Sequence, residues 1–103
     1  MSKVYISGPM TGLPDLNFPE FHAAARRLRK CGYEVVNPAE LSPDPGTSWA
    51  ACLREDIKAL CDCDYLVLLQ GWEGSKGAHL EVEIAHRIGV RIVPLQVLDA
   101  VTA

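Results

Sequence analysis

Two carboxylates in this 103-residue chain sit at helix positions that the surrounding pattern assigns to apolar side chains. Helical positions advance by about 100° per residue, so each side chain can be placed on a wheel. After Gly77, residues Ala78, Leu80, Val82, Ile84, Ala85 and Ile88 cover one broad arc, with His79, Glu83 and His86 on the other side. Glu81 falls near the middle of the apolar arc. A carboxylate turned toward an apolar interior is costly unless something uses it. Burial raises its pKa and prepares it for nucleophilic or proton chemistry. On position alone, that reading and a capping or buried, hydrogen-bonded glutamate weigh equally. Asp56 shows the same anomaly. Trp49, Leu53, Ile57 and Leu60 form an inward stripe, Arg54, Glu55, Lys58 and Asp62 face outward, and Asp56 lies at the edge of the stripe. An ion pair with a nearby arginine is the plain alternative there.

Other residues stand where they could serve such carboxylates. Tyr5 and Ser7 share one face of a short strand by the period-two rule. A tyrosine there is either core or the hydroxyl partner of a buried carboxylate. Ser75-Lys76-Gly77-Ala78 opens the helix that carries Glu81, and the backbone amides of such a helix start form a ready anion site. Ser75 reads equally well as a simple N-cap. Neither glycine-rich loop is a dinucleotide fingerprint or a phosphate-binding P-loop: the Gly8–Gly12 spacing is wrong, and no Gly-Lys-Ser/Thr follows. A phospho-receiver would need an aspartate at the end of its third strand, where this chain has Leu69-Gln70.

The elements that must position these residues follow from breakers and periodicity. Lys3–Ser7 reads as a strand feeding a loop from Gly8 to Asp15. Asn17 is expected to cap a helix, with Pro19 in its first turn, Glu20 in a capping-box position, Phe21, Ala24, Ala25 and Leu28 inward, and Gly32 as its stop. Tyr33–Val36 is a second strand closed by Asn37-Pro38. Residues 41–47 carry two prolines and a glycine and read as a loop, after which Ser48 caps a helix to about Asp62. Tyr65–Leu69 is an unbroken apolar strand of the kind buried on both faces. A glycine-rich loop, Gly71–Gly77, leads to a helix ending near Ile88, with Gly89 as its stop, and Arg91–Leu95 is a last strand. The final eight residues suit a small extra strand or a subunit contact. The order β-α-β-α-β-α-β predicts one α/β domain over residues 1–103: a flavodoxin-like three-layer α/β/α fold with a parallel sheet of four or five strands, order 2-1-3-4(-5). In such sheets ligands bind beyond the strand ends where the order reverses. Here that point lies between the first and third strands, and both loops leaving them are glycine-rich.

Composition narrows the classes. The chain is 49% hydrophobic and 22% charged with a formal net charge of −3, ordinary for a globular protein and without the basic face a nucleic-acid tracker needs. No run approaches the ~20 apolar residues of a membrane helix, and the N-terminus lacks signal-peptide architecture. Cys31, Cys52, Cys61 and Cys63 read as reduced thiols packed as small hydrophobes in a cytoplasmic protein, with no metal site; metal ligation by the C-x-C pair Cys61 and Cys63 is the alternative.

Tyr5-Ile6-Ser7-Gly8-Pro9, Asp56 and Gly77-Ala78-His79-Leu80-Glu81 together resemble the nucleoside 2-deoxyribosyltransferase superfamily, which includes N-glycosidases of deoxynucleoside monophosphates. The strings Tyr-Ile-Ser-Gly-Pro-Met-Thr-Gly, Asn-Pro-Ala-Glu and Gly-Trp-Glu-x-Ser-x-Gly-Ala resemble more closely a small phage and prophage branch of it, over roughly residues 3–95. The resemblance implies Glu81 as the nucleophile at the anomeric carbon, Asp56 as the acid or hydrogen-bond partner that helps the base leave, and Tyr5 as the residue orienting Glu81. It implies that Ser75, Gly77 and the Ser7-Gly8-Pro9 loop hold the sugar or a 5′-phosphate. A nucleoside or nucleotide is then the partner, rather than polymeric nucleic acid or a membrane. No metal or organic cofactor is needed, and a homodimer or higher homo-oligomer completes the site. Two features depart from the pattern: the tail Gln96–Ala103 offers no obvious polar residue to a partner's site, and Trp72 and Glu73 make the second loop bulky. The alternatives are a nucleotide-binding module without turnover and an interaction protein whose Asp56 and Glu81 pair with buried cations.

Overall fold

Alternation in β1 (Lys3–Ser7) sends Val4 and Ile6 to one face and Tyr5 and Ser7 to the other, and all four are buried. In a computed structural model of the protein, which describes residues 2–42, 44 and 46–102 (99–102 by backbone alone), β1 is an inner strand. It joins β2 (Glu34–Val36), β3 (Tyr65–Leu68) and β4 (Arg91–Pro94) in a parallel sheet of order β2-β1-β3-β4. Tyr5 pairs with Leu66 and Ser7 with Leu68, so the two strand ends that flank the order reversal are level. Met1, Pro43, Pro45 and Ala103 lie outside the described residues, and with them the prolines of the expected 41–47 loop.

Each sheet face is covered by helices. α1 (Phe18–Lys30) buries Phe21, Ala24, Ala25 and Leu28 against Val4, Ile6, Val67 and Leu69. The second face, with Tyr5, Leu66 and Leu68, lies under Leu60, Ala85 and Val90. Leu60 belongs to α3 (Trp49–Leu60) and Ala85 to α4 (Lys76–Ile88). Ser48 and Ser75 cap these helices, accepting from the amides of Ala51 at 3.2 Å and Ala78 at 3.1 Å. Gly89, with φ of 81°, ends α4 in the left-handed conformation that glycine adopts without penalty. This is the expected three-layer arrangement with four strands. Among the described residues no helix is long and apolar enough to cross a membrane.

Four local expectations need correction. A one-turn helix, α2 (Pro38–Leu41), follows β2, because the Asn37 side chain accepts from the Ala39 amide at 3.0 Å and Pro38 is preset for a first helical position. The second strand begins at Glu34, since the Tyr33 amide is spent on Leu28 O, closing α1. Asn17 precedes α1, but Asp15, Leu16 and Asn17 are all left-handed (φ of 52°, 54° and 59°) and its side chain makes no cap. It donates instead to Pro9 O at 3.0 Å, tying the first loop to the helix start. The tail is a helix, α5 (Leu95–Thr102), not a strand: Leu95 and Leu98, three residues apart, pack into the core layer of α1, and the last strand accordingly stops at Pro94.

The first loop leaves β1 against the end of β3. A Cβ built on Gly8 would lie 2.8 Å from Leu69 Cβ, an atom that cannot swing aside. Gly8→Ala is therefore expected to destabilise the fold by about 1–3 kcal/mol through overpacking. A urea titration showing a midpoint equal to that of the parent chain would contradict this close approach.

Candidate active site

α4 starts beside the end of β3, and its inward face is built from Ala78, Glu81 and Ala85, each buried. The apolar arc expected for this helix is narrower than the wheel suggests. Leu80 and Ile88 are 39% and 50% exposed, because only the i, i+3/i+4 stripe beneath the helix meets the sheet. Glu81 is on that stripe, 5% exposed, directly over the second face of β1. The Tyr5 hydroxyl donates to its Oε2 at 2.6 Å and the Ser7 hydroxyl to its Oε1 at 2.7 Å. Both are short, charge-assisted bonds. Burial pushes the Glu81 carboxyl above its ordinary pKa, and the two hydroxyl bonds work against that rise. Burial, then the charges of Glu81 and Asp56, hold the Tyr5 phenol far above its ordinary value, so it remains a donor at any physiological pH.

Asp56 approaches from α3. Its Oδ1 is buried and has no hydrogen-bond partner among the described residues, and no arginine pairs with it there. Burial first, then the charges of Glu81 and Glu55, lift its pKa to about 7, while the Tyr5 hydroxyl opposes the rise. Asp56 is therefore a group that exchanges its proton near neutrality, beside a carboxylate held by hydroxyls. Two acids whose environments differ can take opposite protonation states at one pH.

Asp56 and Glu81 line one cavity of about 200 Å³ at the ends of β1 and β3, together with Gly8, Ser75 and Gly77. Of the residues expected at the site, these five meet there. Tyr5 and Ser7 stand behind Glu81 and do not line the cavity, so the Ser7 hydroxyl is spent on the carboxylate rather than offered to a sugar. Pro9 borders a separate groove with Asn17 and Gly71. Trp72 and Glu73 do not crowd the cavity. Trp72 packs against the second core layer and His79, ring centres 5.0 Å apart, while Glu73 is exposed and its carbonyl meets His79 Nε2 at 2.6 Å. Sequence reasoning missed the apolar wall formed by Met10, Leu16 and Cys52; Trp49, expected on the inward stripe of α3, is 55% exposed at its first position yet lines the same cavity. A tryptophan immediately after a helix cap was the available signal.

An α/β layer protein with an acidic pair at the order reversal is the class this geometry defines, and its fold is that of nucleoside 2-deoxyribosyltransferase-like proteins. Several solved structures share it. One is a 2-deoxyribosyltransferase from Bacillus psychrosaccharolyticus, with a TM-score of 0.70 and 17% identity over 90% of this chain and 71% of that one. A conserved protein from Enterococcus faecalis V583 aligns with a TM-score of 0.71 and 21% identity, covering 91% of this chain and 62% of that one. The CMP N-glycosidase BcmB of Clostridium botulinum aligns with a TM-score of 0.62 and 22% identity, covering 89% and 66%. This chain thus spans less than two thirds of the length of the latter two. No curated protein matches it in sequence. Residues 2–94 match the model of DUF4406, a domain of unknown function, and the chain belongs to that family.

The raised pKa of Asp56 has a consequence for stability. A carboxyl whose folded pKa exceeds its unfolded value of 3.8 favours folding most below that value, and the benefit is lost as pH rises through about 7. Asp56→Asn is expected to be more stable than the parent at pH 8, by roughly 1–2 kcal/mol once partial solvent screening is allowed for. The advantage should shrink toward zero near pH 4. Denaturant titrations at both pH values check it; a variant less stable at pH 8 than at pH 4, relative to the parent, contradicts it.

Proposed function

We propose that the protein cleaves or transfers the N-glycosidic bond of a nucleoside or nucleoside 5′-monophosphate, with Glu81 as nucleophile. The observation that carries this reading is a buried glutamate, both oxygens held by hydroxyls, lining a cavity together with an acid whose pKa is lifted to about 7. The chemistry is that of a retaining glycosidase. A Glu81 oxygen attacks the anomeric carbon, the carbon–nitrogen bond breaks, and its electron pair leaves with the base, which takes the proton of Asp56. The resulting glycosyl ester is opened by water, whose proton returns to the Asp56 carboxylate, or by the nitrogen of a second base.

The other parts of the site suit those steps. Tyr5 stays protonated and orients Glu81 without competing for the anomeric carbon. Ser75 and Gly77, at the start of α4, and Gly8 border the cavity where the sugar or a 5′-phosphate would rest, next to helix amides. The exposed Leu80 and Ile88 on the outer side of α4 support a homodimer as part of the same reading.

Incubation with a panel of nucleosides and 5′-monophosphates, followed by detection of free base, tests the proposal. Glu81→Gln keeps the shape and removes the charge, so the fold should persist while base release falls by about three orders of magnitude or more. Near-normal release by that variant would overturn the mechanism. Thermal stabilisation by a nucleotide with no release from any substrate would mark a binding module instead. For the active protein, kcat/KM should trace a bell in pH. The acid limb reports ionised Glu81 and lies above the ordinary glutamate range, and the alkaline limb, near pH 7, reports loss of the Asp56 proton. Asp56→Asn should remove the alkaline limb, and an unchanged limb would take the acid role away from Asp56.

A further inference from the structure

We infer that Ser7 is a positioning residue: its hydroxyl, acting with that of Tyr5, holds the Glu81 carboxylate ionised and in one orientation, leaving one direction on each oxygen free to face the cavity. This inference deepens the reading of Glu81 as nucleophile and rests on it for its kinetic part. The Ser7 side chain is 1% exposed, on a strand face whose other buried members, Tyr5, Leu66 and Leu68, are large or apolar. A hydroxyl there carries a desolvation cost that an alanine would avoid, and its hydrogen bond to Glu81 Oε1, at 2.7 Å, is the interaction that offsets it.

The backbone gives Ser7 no freedom to serve elsewhere. Ser7 pairs with Leu68 across the sheet, and its carbonyl accepts from the Leu69 amide at 2.9 Å. The hydroxyl is thus delivered to Glu81 by the sheet, while Glu81 is delivered by α4, and the two meet without involving a side chain of either glycine-rich loop. The groups facing Glu81 are Tyr5 and Ser7 from β1 and Asp56 from α3. Tyr5 is donor to one oxygen and Ser7 to the other, so neither replaces its neighbour. A carboxylate with two lone pairs per oxygen keeps an acceptor position on each after these bonds, and the atom that attacks carbon is the one left facing the cavity. Proximity chemistry depends on such orientation, because a small misplacement of the attacking atom costs about a hundredfold in rate.

The test is Ser7→Ala, read in two independent ways. In protein labelled with 13C at glutamate carboxyl carbons, the Glu81 titration should move to higher pH by roughly one unit, since a bond favouring the ionised form is lost. In parallel, kcat at pH 6 should fall tenfold or more with KM changed less than threefold, and the acid limb of kcat/KM should shift upward with the carboxyl titration. Ser7→Thr, which restores the hydroxyl, should recover the titration and part of kcat, and Ser7→Cys, with a weaker donor, should fall between. Thermal melts check that each variant is folded, and should Ser7→Ala fail to fold, the Cys and Thr pair carries the comparison. An unchanged Glu81 titration with unchanged kcat in Ser7→Ala overturns the inference. A parent chain that releases no base overturns the glycosidase reading instead, and the 13C titration, which needs no turnover, still decides the role of Ser7.

Discussion

The burial of one carboxylate is the constraint around which this fold is arranged. An ionised glutamate at the sheet–helix interface would be strongly destabilising without donors. Tyr5 and Ser7 supply them from a single strand because residues two apart share a face. That works only if β1 is an inner strand, if α4 crosses the same face, and if α4 starts near the end of β3 so that its second turn lies over β1. The serine cap at residue 75 fixes where the helix starts, and hence which residue arrives above the two hydroxyls. Shifting that start by one residue would turn Glu81 by about 100° and strand its charge.

The second carboxylate is treated differently, and the contrast has chemical meaning. Glu81 has a donor on each oxygen, whereas Asp56 has one buried oxygen without a partner among the described residues. The protein thus tolerates an unsatisfied acid beside a satisfied one, at a cost in stability at neutral and alkaline pH. A purely structural pair would be expected to share donors more evenly. Asp56 borders the cavity, where the proposed reaction would draw on it as the acid.

Local signals carried much of the architecture. The period-two run of Lys3–Ser7, the helical spacing of Phe21, Ala24, Ala25 and Leu28, the serines before α3 and α4, and Gly89 after α4 are each legible from a few neighbouring residues, and strand order follows from short right-handed crossovers. The anomalies of Glu81 and Asp56 were also visible, since a charge within an apolar pattern is a local contradiction. What escaped local reading was every feature in which one contact outweighed another. Asn17 spends its side chain on Pro9 rather than on a cap, the tail folds as α5 because Leu95 and Leu98 find α1, and Leu80 and Ile88 point outward because the sheet is narrower than the wheel's arc.

The sequence by itself therefore determined the four strands, the helices α1, α3 and α4, their order along the chain, and the two acids whose placement needed explaining. The tertiary structure decided whether those acids had partners. Tyr5 and Glu81 are 76 residues apart, and no pattern within either segment says that their oxygens stand 2.6 Å from one another. That distance is set by two crossovers and a strand register, and hydrogen bonding falls away within a few tenths of an ångström. Periodicity reports which face a residue occupies, but only the packed chain brings two faces close enough for a proton to be shared between them.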